Sequence, residues 1–145
     1  MSAGPAVDPR GPRFAAVVTT VVLAVVLVTG WWPLLAAQTV VFAIGAFAGL
    51  RLAPYSVLYR VLVAPRLKPT SEREDAAPLR FAQAVGFLFA LVGTIGYASG
   101  VTALGIVATA FALFAAFLNA AFDFCLGCEM YLLVRRFTPR TEQTS

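Results

Sequence analysis

The chain has 145 residues, 60% of them hydrophobic and 12% charged, with a formal net charge of +4 and a mean hydropathy of +0.84. A soluble domain carries about 25% charged residues, so this composition excludes a water-facing globule and leaves a membrane protein the size of one small bundle. With no histidine, the commonest general base, metal ligand and haem ligand are gone.

Residues 1–13 are rich in Pro, Gly and Arg and lack an apolar period. They are expected to form a cytoplasmic arm, in which Val7-Asp8-Pro9-Arg10 could dock on another segment. Phe14 to Trp32 is the first uncharged run. It meets the requirement of about 20 apolar residues for a span, and Trp31-Trp32 suits an interfacial anchor. A cleaved signal peptide is the alternative, disfavoured because a second apolar run follows at once. That second run, Leu34 to Leu50, begins after Pro33, a residue tolerated in a first helical turn. Gly45 and Gly49, with Ala46, Ala48 and Ala53 nearby, offer small surfaces for close helix approach.

Residues 51–80 carry Arg51, Arg60, Arg66, Lys68, Arg73 and Arg80, together with Glu72, Glu74 and Asp75. Between Pro54 and Pro65 the pattern predicts a short amphipathic helix over 55–64, lying in the interface with its tyrosines at headgroup depth. Lys68 to Pro78 reads as an exposed polar turn. The third span is expected over 81–98, with Gln83 in its first turn and Gly86, Gly93 and Gly96 available for tight contacts. The fourth is expected over 101–124. Apolar character then continues to Val134, which as one straight helix would be roughly 50 Å long against a hydrocarbon core of about 30 Å. A break or bend close to Gly127 is therefore expected. Residues 135–145 form a tail.

The fold class expected is an all-α, integral membrane four-helix bundle whose membrane domain covers 14–134. All eleven Lys and Arg lie before span one, between spans two and three, or after span four. That is a topology signal rather than a nucleic-acid footprint, and it places both termini and the central loop in the cytoplasm of a multi-pass cell-membrane protein.

The candidate chemistry is concentrated in Asn119, Asp123, Cys125, Cys128 and Glu129. If this segment is helical, Asn119 and Asp123 share a face, and the two cysteines lie about 5–6 Å apart between Cα atoms, within disulfide reach. A CxxC pair can cycle between dithiol and disulfide because the second thiol resolves a mixed disulfide formed by the first. Apolar surroundings and neighbouring carboxylates oppose thiolate formation, so a basic partner from residues 51–80, or a proton relay through Glu129 and Asp123, is needed. Ionisable residues at membrane depth are costly and usually functional, which favours a redox role over packing alone. Two sulfurs without histidine suit zinc poorly. Asn119 and Asp123 can instead glue the bundle through Gln83 or Gln38. No phosphate-binding loop, Ser-His-Asp set or cofactor motif exists, and no cofactor is expected.

Four blocks, Val7 to Phe14, Pro54-Tyr55, Arg80 to Gly86 and Phe124 to Tyr131, together resemble the bacterial integral membrane family called domain of unknown function 4395. The resemblance covers nearly the whole chain and implies a link to thiol and sulfur metabolism, with thioredoxin-like or rhodanese-like proteins as neighbours. The resulting expectation is a membrane thiol–disulfide or sulfur-relay component, using Cys125, Cys128, Glu129 and Asp123. Its partners would be the bilayer, a cytosolic thioredoxin-like or rhodanese-like protein, and further copies of itself. The competing expectations are a small transporter for a sulfur species or lipophilic solute, marked by Asn119 and Asp123, and a membrane scaffold for thiol-metabolism proteins.

Overall fold

The computed structural model describes residues 6–7, 10–66, 74–122 and 124–137. The architecture is all-helical apart from a two-residue antiparallel pair, β1 (Ala6–Val7) with β2 (Glu74–Asp75), in register Ala6 to Asp75 and Val7 to Glu74. This pairing gives Val7 a docking partner, on the central loop. Asp8 and Lys68 lie outside the described residues.

Helix α1 spans Arg10–Thr29, starting at Arg10 rather than Phe14 because Pro12 is accommodated in the first turn. Helix α2 spans Trp32–Ala43 and runs on as a π-helical turn, Ile44–Ala48. Its end is forced at Gly49, whose φ of 118° belongs to glycine and whose N–H reaches back to Ile44 O at 3.0 Å. Gly49 therefore stops a helix instead of packing one, whereas Gly45 packs against the Gln83 side chain. After a short turn, residues 54–66 are helical: α3 (Pro54–Leu58), extended by a π turn (Tyr59–Val63) and a 3₁₀ turn (Ala64–Arg66). Helix α4 spans Ala76–Ala98. It begins five residues before the expected Phe81, since two alanines and an early Pro78 suit a first turn, so the polar turn is shorter than expected. Helix α5 spans Thr102–Phe122 and α6 spans Leu126–Phe137.

Three of these helices are long and apolar enough to cross a membrane: Arg10–Thr29, Ala77–Ala98 and Thr102–Phe122. Trp32–Ala48 is a shorter apolar helix. The four pack as a ring in which α1 touches α2 and α5, and α4 touches the same two. Inside the ring Leu23, Val26, Leu35, Phe42, Ala90 and Ala112 form the buried core. Large side chains such as Val21, Val40, Ile95 and Phe111 point outwards and are exposed. Helices apolar on every side belong in lipid, where each backbone polar group must be satisfied within the segment.

Apolar solvent removes the hydrophobic drive between helices, so close packing and hydrogen bonds have to hold them together. A Cβ on Gly96 would lie 2.7 Å from the Gly105 backbone nitrogen, which marks the tight crossing of α4 and α5. Thr39 and Thr94 hydroxyls meet at 3.3 Å between α2 and α4. At the basic end, Arg80 donates two bonds to Ala46 O, at 3.2 and 2.8 Å, closing a carbonyl in the π turn. Arg13 Nε donates to Ala120 O at 3.3 Å, near the end of α5. Charged donors near the C-terminal ends of helices also oppose the negative end of the helix dipole.

Candidate functional site

The break in the last apolar run comes earlier than expected. Helix α5 ends at Phe122 and α6 begins at Leu126, so the chain turns before Cys125 and leaves Gly127 inside the new helix. Phe124 N–H bonds back to Leu118 O at 3.2 Å across the turn. Gly127 is buried against α4: a Cβ there would lie 2.5 Å from Ala82 Cβ and 2.6 Å from Ala82 Cα. Its role is to let α6 lie on α4, not to bend the chain. Phe81 and Tyr131 rings, 5.7 Å apart, reinforce that crossing, and Tyr131 accepts a hydrogen bond from Arg135 at 2.8 Å.

This geometry gives the cysteines distinct places. Cys125 is the residue before α6, and its carbonyl accepts the first helical bond from Glu129 N–H at 3.0 Å. Its sulfur accepts the Cys128 N–H at 3.1 Å. Cys125 thus holds the N-cap position, where a side chain satisfies a free N–H. The two cysteines are joined as a disulfide with Cα atoms 5.1 Å apart. Both are half-buried.

A sulfur at a helix N-terminus meets the positive end of the helix dipole. Among the described residues, Arg80 and Arg13 are engaged with backbone carbonyls. Of the two candidate carboxylates, Glu129 is exposed in the first turn of α6, and Asp123 lies outside the described residues.

Asn119 is half-buried near the end of α5. Asp123, its expected partner on a shared helical face, lies outside the described residues. Among the described residues no hydrogen bond joins Asn119 to Gln83 or Gln38, the expected polar glue, whereas a threonine pair joins α2 to α4.

Gln38, Gln83, Asn119 and Cys125 all line one internal cavity of about 360 Å³, within the range of about 300–1,000 Å³ common for small-molecule sites. Gln38 is 1% exposed. Its carbonyl oxygen accepts the Tyr55 hydroxyl at 2.6 Å, whereas its Nε2 has no partner. Burial pushes the Tyr55 phenol above its ordinary value of 10.0, so the hydroxyl keeps its proton at neutral pH. An unpaired buried donor costs about 1–3 kcal/mol. Sequence reasoning treated Tyr55 as a headgroup anchor and missed this pairing. The available signal was Gln38 itself, the one strongly polar side chain in its apolar run.

A family model described as Domain of unknown function (DUF4395) matches residues 7–136. The chain belongs to that family. No curated protein and no solved structure matches it. For this DUF4395 member the matched region takes in every helix of the ring, almost all of α6 and the cysteine pair.

Proposed function

We propose that this DUF4395 protein is a four-span membrane thiol–disulfide carrier, with the Cys125–Cys128 pair presented at its cytoplasmic end. The observation that carries the reading is the position of Cys125 at the start of α6, with its sulfur on the Cys128 N–H at 3.1 Å. Trp32–Ala48 serves as the fourth span. Its length of about 26 Å at 1.5 Å per residue needs only slight bilayer thinning, and exposed Trp31 and Trp32 anchor its far end. The basic residues at the starts of α1 and α4 and the end of α6 orient that face towards the cytoplasm.

The partner is a cytosolic dithiol protein of the thioredoxin-like or rhodanese-like kind that the family resemblance implies. Its thiolate attacks Cys125 Sγ, the Cys125–Cys128 bond breaks, and the electron pair leaves on Cys128, which takes a proton. The partner's second thiol then displaces Cys125 as a thiolate, the form favoured by its capping position. The partner departs oxidised and the pair holds two electrons. Cytosolic thiols are reduced by default, so the disulfide is a turnover state rather than a structural staple.

Topology is open to direct measurement. After mild reduction, a membrane-impermeant maleimide is expected to label the two cysteines in inverted vesicles and not in right-side-out spheroplasts. Labelling only from the outer face would sink the orientation.

A further inference from the structure

The cavity beside the cysteine pair contains a donor with nothing to bind. Gln38 is among its lining residues, is 1% exposed and has its oxygen held by Tyr55, and its buried Nε2 has no protein partner. The occupant that completes this site carries an uncharged acceptor oxygen. The rest of the lining is largely apolar and aromatic: Phe42, Phe89, Phe111 and Phe114, with alanines between them. Phe89 and Phe111, on α4 and α5, face each other with ring centroids 6.0 Å apart. Both are also exposed on the outer surface, as are Phe114 and Met130 from the same lining. The cavity therefore abuts the side of the bundle that faces lipid, and a hydrophobic ring could enter from the bilayer. Its lining also includes Cys125.

We propose that this cavity is a quinone site, in which Gln38 Nε2 donates to a quinone carbonyl and the Cys125–Cys128 dithiol is the reductant. The proposal rests on the redox reading above and names its terminal electron acceptor. In the step, both S–H bonds break and the S–S bond forms. Two electrons pass to the quinone ring, and the two protons end on its two oxygens, giving the quinol. A partner dithiol then restores the reduced pair. Flat aromatic walls suit the ring, a neutral amide suits a neutral carbonyl, and a membrane-side opening suits a lipophilic carrier.

The test uses the full chain in lipid nanodiscs with duroquinone, a fully substituted benzoquinone that resists alkylation by thiols. Binding to the disulfide form is followed by calorimetry. Reaction with the dithiol form is followed by duroquinol absorbance and gel-shift alkylation. The expected result is saturable binding and one quinol per disulfide formed. Gln38→Met, which keeps the side-chain shape and removes the donor, is expected to bind about tenfold more weakly, the equivalent of one hydrogen bond. Ala115→Phe, which fills the hollow, is expected to abolish both signals even if Gln38→Met does not fold. Equal binding by wild type and both variants overturns the site. So does wild-type protein whose pair exchanges with dithiothreitol but neither binds nor reduces duroquinone, and that result leaves the redox reading standing. If the pair is inert to dithiothreitol, the redox reading fails; calorimetric binding that depends on Gln38 then supports the site, and its absence overturns it.

Discussion

Cys128→Ser is expected to trap a partner and Cys125→Ser is not. In the reaction above the partner sulfur bonds to Cys125, whose N-cap position favours it as the leaving thiolate in the second step. In the reverse of that reaction the Cys125 thiolate attacks the disulfide of the oxidised partner and one partner thiolate leaves; without Cys128 to carry the adduct on to the closed pair, a covalent adduct with the cytosolic protein accumulates on non-reducing gels. Removing Cys125 leaves Cys128 inside the first turn of α6, without the capping geometry, and no adduct forms. Both variants lose turnover completely, since neither can close the pair. Equal trapping by the two would show that the helix start does not distinguish the sulfurs. Full turnover in both would make them packing residues.

Gly127→Leu is expected to separate α6 from α4. The Cβ alone would sit 2.6 Å from Ala82 Cα, and backbone cannot move aside as a flexible side chain can. Overpacking of this kind costs about 1–3 kcal/mol, more than a helix of twelve residues resting mainly on one neighbour can absorb. The expected result is a lowered Tm in detergent and faster proteolysis at residues 123–126, with the span helices intact by circular dichroism. Gly127→Ala keeps the Cβ clash and should show a smaller loss, part of which Ala82→Gly restores. A Gly127→Leu protein that melts and digests like wild type would remove the close crossing from the account.

Much of this fold was legible because lipid leaves few options. Uncharged runs bounded by Trp31-Trp32, Ser99-Gly100 and clusters of arginine mark helices that must satisfy their own backbones, and three of these runs fall in the long apolar helices observed. The helices begin before the apolar runs that start at Phe14 and Phe81. Polarity does not end the helix there, because Pro12 and Pro78 sit comfortably in first turns. The excess length after Val101 announced a break, but not its position. Gly127 drew attention as a bend when its lack of a side chain serves the contact with Ala82. The capping role of Cys125 follows from that misplaced break, since a sulfur inside a continuous helix would have had no free N–H to accept. Cavities arise from several helices at once, so neither the hollow beside Cys125 nor the Tyr55–Gln38 bond could be read from spacing along the chain.

The most direct test of the redox reading is a titration of the Cys125–Cys128 pair in defined dithiothreitol and glutathione buffers, read by gel-shift alkylation of purified protein. The account predicts a reversible two-electron transition between about −180 and −300 mV, the range in which thiol carriers operate. Sulfurs that stay paired, or stay free, across that whole range would contradict it.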